Sequence, residues 1–216
     1  MKKITFACCA AAFLLLACNN GGSDYKTKSD SANSSGTKKE MAPMTMPDSA
    51  TVMKNMMMYS TPGEMQKMMA SWDGNWTTDI SMWEKPGAPP AKSAGTTVNK
   101  MIMGGRYQES HHSSTMMGMP FEGMGTMGYD NAKKVFVNSW VDNFGSGIMN
   151  MSGPWEAATK SCTMTGKMID PGTMTEKDYK ETFKVIDDNT QSLEMFGPGY
   201  DGKEMKMMEI KFTRKK

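Results

Sequence analysis

The cysteine at position 18 stands in a sequence pattern that directs covalent chemistry on its thiol. Two leucines and Ala17 precede Cys18, which is the lipobox pattern in which the thiol takes a diacylglyceryl group before a peptidase cuts ahead of it. The segment upstream carries Lys2 and Lys3 and then an apolar run over residues 7–17, which is too short to span a bilayer. The sequence therefore predicts a lipoprotein of the bacterial cell envelope. We expect it to be held by a lipid on Cys18, either in the periplasm or exposed at the surface.

A second group of side chains has the chemistry of a soft metal site. His111 and His112 are the only histidines, and Met116, Met117 and Met119 follow within eight residues. Neutral imidazole and thioether sulfur together suit Cu(I). Adjacent residues of a strand point to opposite faces, so the two histidines do not readily share one ion. His112, Met116 and Met119 are the candidate ligands. Copper binding or protection against redox stress is one alternative function, while the leading interpretation requires no cofactor.

Carboxylates supply the candidate acid–base chemistry. If the Tyr107 face of its strand points inward, Glu109 and Glu122 become neighbours, and paired carboxylates shift each other's pKa. A second alternative is therefore an enzyme with an internal carboxylate. The sequence contains no nucleophile elbow, zinc-type ligand spacing or phosphate loop, so we favour a protein that is not an enzyme. The carboxylates considered are Glu109, Glu122, Asp142, Glu181 and Glu194.

Composition divides the chain into a signal peptide over residues 1–17, a disordered tether over 18–52 and one folded domain over 53–216. The tether is rich in small and polar residues and nearly free of aromatic ones, so it buries too little apolar area to fold. The full chain has 25 basic and 23 acidic side chains, and the signal peptide takes two lysines and no acid with it. A neutral mature chain argues against nucleic acid as a partner. Beyond Cys18 only Cys162 remains, which we interpret as a small structural residue.

A short helix and then a series of strands must position these side chains. Thr61 and Glu64 have the spacing of a capping box, and apolar residues recur at helical spacing up to Trp72. After Gly74, apolar and polar residues alternate between turns rich in Gly, Asn and Asp, which is typical of hairpins. Their even spacing predicts an all-β antiparallel meander barrel of about ten strands, with one short N-terminal helix. The predicted strands lie near residues 76–82, 95–103, 106–115, 121–130, 135–141, 147–155, 161–170, 178–186, 192–196 and 203–213.

The last predicted strand changes its alternation. Met205 and Met207 share one phase, whereas Met208, Ile210 and Phe212 share the other. Such a switch indicates either a β-bulge or a strand that is buried on both faces.

Several short segments resemble known families. A glycine two residues before a tryptophan, in Asp73-Gly74-Asn75-Trp76, is similar to the start of a lipocalin-type barrel. More specific segments together resemble the bacterial domain-of-unknown-function family DUF1579 over residues 53–216. The resemblance implies a calycin-like barrel and no established activity. The segments that carry it are Gly104-Gly105-Arg106-Tyr107, Pro120-Phe121-Glu122-Gly123, Gly128-Tyr129-Asp130-Asn131, Gly197-Pro198-Gly199 and Glu209-Ile210-Lys211-Phe212.

The 28 methionines and one strand pattern indicate a binding cavity. Met is flexible and polarisable and often lines adaptable apolar cavities, although plain core filling explains it equally well. In the strand near residues 135–141, polar and aromatic groups share one side while valines share the other, so one face is expected to line a cavity. We predict a small apolar or amphipathic ligand in the barrel. Its predicted contacts are Glu109, Glu122, Asn138, Trp140 and Asp142.

Overall fold

The folded body is a closed antiparallel β-barrel. The computed structural model describes residues 46–216, so Cys18, the predicted signal peptide and most of the predicted tether lie outside the described residues. Ten strands form the ring, because β1 pairs with β11 at one seam and β6 pairs with β8 at the other; β7 is a short strand beside β8. The predicted all-β meander barrel is therefore confirmed. The strands are β1 Gly74–Met82, β2 Ala91–Ile102, β3 Tyr107–Met116, β4 Met119–Asp130, β5 Val135–Asp142, β6 Met149–Gly153, β7 Trp155–Glu156, β8 Ser161–Asp170, β9 Thr175–Asp187, β10 Thr190–Pro198 and β11 Glu204–Arg214.

Two helices precede the barrel where the sequence predicted one. Helix α1, Ser49–Ser60, begins inside the predicted tether, because the Asp48 carboxylate accepts a hydrogen bond from the Thr51 backbone and caps it. Helix α2, Glu64–Ala70, begins after Gly63, whose backbone N–H donates to the Gln66 side chain. The predicted capping box starting at Thr61 is wrong, since that residue ends α1. Within residues 46–216, neither helix has the length and apolar character needed to cross a bilayer.

Helix α2 closes one end of the barrel. Met69 and Trp72 are almost completely buried, and the Trp72 ring packs against Phe136 and Phe183 with centroid distances of 5.9 and 4.9 Å. Each such side chain contributes roughly 1.5–3 kcal/mol through burial. The Arg214 guanidinium covers the Trp76 ring nearby and donates to backbone carbonyls at the end of α2. The opposite end of the barrel, where β3 meets β4, carries no helix among the described residues.

The phase switch in the last strand is a β-bulge, which is one of the two predicted alternatives. Met195 of β10 pairs with Met208, but the next residue, Phe196, pairs with Lys206, so Met207 is an extra residue on β11. The Met207 sulfur lies over Gly197 on the inner face of β10. The bulge therefore brings an additional thioether into the barrel interior.

Candidate functional site

The Gln108 face of β3 points into the barrel, whereas the predicted glutamate contacts required the Tyr107 face to point inward. Gln108 and His112 are buried, whereas Tyr107 is 45% exposed. The Gln108 side chain donates to the Met69 carbonyl and to the Asp73 carboxylate, which fixes the even-numbered residues of β3 inside the barrel. The expectation that the Tyr107 face points inward is therefore wrong.

The two predicted glutamate contacts lie on the outer wall for the same reason. Glu109 sits on the Tyr107 face, where its carboxylate is 2.5 Å from the His111 ring on the surface. Glu122 is exposed on β4, because its neighbours Phe121 and Gly123 occupy the inner face. The structure does not bring these glutamates together inside the barrel, and the sheet separates both from the lumen.

The three predicted contacts on β5 do face the lumen. Asn138, Trp140 and Asp142 alternate with outward valines and are half-buried, in contrast to the fully buried Phe136 on the same face. The Trp140 indole N–H donates to the Asp142 carboxylate at 2.9 Å. The ring thus lies along the wall with a carboxylate at one edge. These three side chains therefore border solvent-accessible space on the inner side of β5.

The Trp140 ring lies flat on β4 because Gly123 leaves room for it. A Cβ at position 123 would come within 2.1 Å of the ring, closer than any real contact of this kind. Gly125, one inward position further along β4, lies under the other part of the indole. The position of the tryptophan is therefore set by a glycine on the neighbouring strand.

Replacing Gly123 by Ala is expected to destabilise the barrel by about 1–3 kcal/mol, because the indole must leave its position. The Trp140–Asp142 hydrogen bond should be lost with it, which shifts the tryptophan fluorescence. Denaturant unfolding and emission spectra measure both effects. Gly147→Ala is the matched control, because a Cβ there meets no atom within 4 Å. Equal stability of the two variants would show that the ring is not held against Gly123.

Two buried hydroxyl groups in the barrel lack hydrogen-bond partners. Among residues 46–216, the unsatisfied buried side-chain atoms are the Thr78 and Ser114 hydroxyl oxygens. They lie on β1 and β3 at either side of Gly95, to which both residues are paired in register. A buried polar group without a partner costs about 1–3 kcal/mol, so each requires an explanation such as water or a ligand.

Glu181 is the most unusual polar group of the lumen. It lies on the inner face of β9 between Tyr179 and Phe183, is only 3% exposed, and has Met164 and Met195 as its register partners on the neighbouring strands. Its carboxyl group makes no hydrogen bond or ion pair with the described part of the chain. Burial raises the pKa of Glu181 to about 7. Such perturbed groups are typical of functional sites.

Glu181 is one of the carboxylates that the sequence offers for acid–base chemistry, but it is not among the predicted ligand contacts. The signal was present in the alternation of β9, where two aromatic residues flank the glutamate at a spacing of two. The other carboxylate considered, Glu194, is at the surface and pairs with Lys206 at 2.6 Å. Cys162 is buried, and burial raises the pKa of its thiol to about 12, which fits the structural role predicted for it.

The three candidate metal ligands do not converge. The buried His112 ring shares a hydrogen bond with the Thr97 hydroxyl through Nδ1 at 2.8 Å, and burial lowers its pKa, so the imidazole is neutral. Met116 and Met119 pair with each other at the tip of the β3–β4 hairpin, four residues further along β3, or about 13 Å away. His111 faces outward. In the part of the chain that the structure describes, no three His, Cys, Asp or Glu side chains are grouped to hold a metal.

Two depressions in the described surface lie away from the β5 side of the lumen. One, of about 600 Å³, is on the outer wall around Lys160, Lys184 and Glu194. The other, of about 440 Å³, is beside Trp72 and Arg214 at the end closed by α2. Neither contains the unpartnered groups described above, and neither combines an apolar wall with a convergent polar set.

The fold and the site together define a class of protein. It is a closed ten-stranded antiparallel barrel with one end covered by a helix. In its lumen, methionine and aromatic side chains surround a few polar groups that have no partner within residues 46–216. The chain belongs to the family described as Protein of unknown function (DUF1579), whose model matches residues 61–214. The family resemblance seen in the sequence is thereby confirmed.

A solved structure shares this fold. Rv2717c from M. tuberculosis matches with a TM-score of 0.56 and 10% identity, over 72% of this chain and 100% of its own. A redesigned beta barrel matches with a TM-score of 0.36 and 10% identity, over 68% of this chain and 95% of its own. No protein with a curated description matches the chain in sequence. The likeness to Rv2717c shows the fold alone.

Proposed function

We propose that this chain is a membrane-tethered lipoprotein whose barrel binds a small amphipathic molecule in its lumen. The observation that carries the proposal is a set of inward polar groups. The Thr78 and Ser114 hydroxyls are buried and have no hydrogen-bond partner among residues 46–216. The Glu181 carboxyl is 3% exposed. A protein that buries such groups gives up stability unless a bound molecule or water satisfies them. A ligand with a polar part would satisfy them on binding.

The remainder of the lumen suits the apolar part of the same molecule. Trp140 offers a ring face along the wall, and Met195 and Met207 line the opposite side near the bulge. Thioether side chains adapt to ligands of different shape, and aromatic faces bury large areas with little loss of rotamer freedom. A few polar groups in an otherwise apolar cavity are typical of small-molecule sites.

Capture of a neutral fluorescent alkyl probe tests binding in the lumen. The protein is the whole chain from residue 18 with Cys18→Ser, which needs no detergent. We expect saturable binding at one site, weakened about tenfold by Trp140→Ala, because the ring supplies a contact face. Tyr107→Ala, which removes an aromatic ring from the outer wall, should leave the affinity unchanged. An equal loss of probe affinity in both variants, or the absence of saturable binding, would contradict the proposal.

The lipid anchor makes a separate prediction. Replacing Cys18 by Ala should abolish acylation and leave unprocessed precursor, because the thioether must form before the peptidase cuts. Metabolic labelling with a fatty acid and detergent partitioning measure the two effects. Cys162→Ala is the matched control, since that thiol is buried in the barrel and should have no part in anchoring. Normal membrane attachment of the Cys18→Ala chain would contradict lipidation at this residue.

A further inference from the structure

Acidic and basic side chains are distributed unevenly over the inner face of the barrel. Three carboxyl groups lie in the inward phase of their strands, namely Glu181 on β9, Asp142 on β5 and Asp170 at the end of β8. The described strands place no lysine or arginine beside Glu181 or Asp142 on the inner face. The inward basic residues are at the two ends. Arg214 stacks on Trp76 at the end closed by α2, and Lys177 lies four residues before Glu181 on β9, or about 13 Å away.

The side of the lumen opposite Glu181 provides no positive charge either. Around the ten-stranded ring, β3 is five strands from β9 in both directions, so His112 faces the lumen from the opposite wall. Burial lowers the pKa of His112, so the ring is neutral at pH 7, and its Nδ1 shares a hydrogen bond with the Thr97 hydroxyl. A carboxylate ligand at the level of Glu181 would therefore meet carboxyl groups, with the nearest inward lysine on β9 about 13 Å away, which makes a fatty acid a poor ligand there.

The surroundings of Glu181 suit a positively charged group. Tyr179 and Phe183 lie on the same inner face one position to either side, and Met164 and Met195 lie opposite on the adjacent strands. Aromatic faces and polarisable sulfur both stabilise organic cations, and a desolvated carboxylate supplies the opposite charge. The Lys180 and Lys206 ammonium groups are occupied on the outer wall, paired with Glu204 and Glu194, and do not reach into the barrel.

We infer that the molecule bound in the lumen is an amphipathic cation, an organic ammonium ion with an apolar body, and that its ammonium group pairs with the Glu181 carboxylate. The inference rests on the proposed function and names the class of ligand that the same lumen takes. Ser114 on β3, five strands from β9, and Thr78 on β1, three strands from β9, then contact the distal part of the molecule.

Three probes with the same alkyl chain and different charge test the inference. Isothermal titration of n-octylammonium, n-octanoate and n-octanol uses the whole chain from residue 18 with Cys18→Ser, below the concentrations at which the probes aggregate. We expect octylammonium to bind about tenfold more tightly than octanoate, because an ion pair replaces a repulsion. Glu181→Gln should weaken octylammonium about tenfold and leave octanol unchanged. Glu122→Gln, which removes the same charge from the outer wall, should change none of the three.

The outcomes separate the two proposals. Binding of octanol with no preference for octylammonium, or an octylammonium affinity that Glu181→Gln leaves unchanged, overturns the inference and leaves lumen binding intact. Failure of all three probes in the folded protein, with circular dichroism as the check on folding, contradicts lumen binding and the inference with it. If Glu122→Gln weakens octylammonium binding as much as Glu181→Gln does, the preference for the cation comes from general surface charge. That result also overturns the inference.

Discussion

Replacing Glu181 by Gln is expected to stabilise the barrel by about 3 kcal/mol at pH 8 and to have little effect on stability at pH 4. The folded-state pKa of Glu181 is raised to about 7 from an ordinary value of 4.5. Below pH 4.5 both the folded and the unfolded chain carry the proton. As pH rises from 4.5 to 7, the unfolded chain releases it first, so the free energy of unfolding falls, and above pH 7 the full cost is present. Glutamine has nearly the same shape and no charge to bury.

Urea unfolding at the two pH values measures the effect as a difference between wild type and variant. Because burial lowers the pKa of His112, the free energy of unfolding falls as pH drops below the ordinary value of 6.5, but this effect is common to both chains and cancels. The thiol of Cys162, with its pKa raised to about 12, stays neutral throughout. Glu122→Gln, at the surface, should change stability by less than about 0.5 kcal/mol. A Glu181→Gln effect that is equal at pH 4 and pH 8 would show that the carboxyl is not buried as described.

Phe136→Ala should cost about 3–5 kcal/mol, whereas Trp140→Ala should cost clearly less, about 2 kcal/mol, although it removes the larger ring. Both side chains lie on the inner face of β5. Phe136 is 0% exposed and packs against the Trp72 and Tyr129 rings, so its removal leaves a cavity. Trp140 is half-buried, so part of its surface already borders open space and less packing is lost.

Chemical denaturation of the two variants decides whether the lumen is open at Trp140. Phe136 and Trp140 are both aromatic and lie on the same face of the same strand. The comparison between the two variants is therefore little affected by differences in local backbone structure. Val137→Ala, on the outward side of β5, sets the size of an ordinary surface change. A cost for Trp140→Ala equal to or above that for Phe136→Ala would indicate a solid core on both sides of the strand, and a ligand would then have no room.

The proposed binding role explains why the chain tolerates the stability that it loses by burying Glu181. A buried carboxyl without a partner lowers the stability of the free protein, and natural proteins tolerate such groups chiefly where function requires them. The hydroxyls of Thr78 and Ser114 add to the same cost. A ligand that satisfies these groups should therefore raise the free energy of unfolding by more than its apolar contacts alone would supply.

Alternation along the strands made most of the barrel predictable. The strand over residues 161–170 has the predicted bounds, and the strand beginning at Val135 is one residue longer than predicted. Helix α1 was missed, because Met, Asn and Ser around Lys54 have no amphipathic period, and a cap at Asp48 is a weak signal without one.

The side of the sheet that faces inward was harder to predict than the strands themselves. On β3, both phases contain polar residues, so alternation does not distinguish the Tyr107 face from the Gln108 face. The choice depends on hydrogen bonds from Gln108 to Met69 and Asp73, which are contacts distant in sequence. On β5, Phe136 and Trp140 share a phase against valines, and the inward side was predicted there for that reason. The room for Trp140 over Gly123 depends on the register between β4 and β5, which a single sequence does not contain.

Native mass spectrometry of the protein from its own host can detect a molecule bound in the lumen. Limited proteolysis in the predicted tether releases the barrel without detergent, so that an apolar ligand is neither displaced nor added. We expect a mass above that of the polypeptide by one small molecule, which is released on unfolding and carries an ammonium group on an apolar body. A polypeptide mass alone, from protein shown to be folded and isolated without detergent, would show that the lumen holds no ligand.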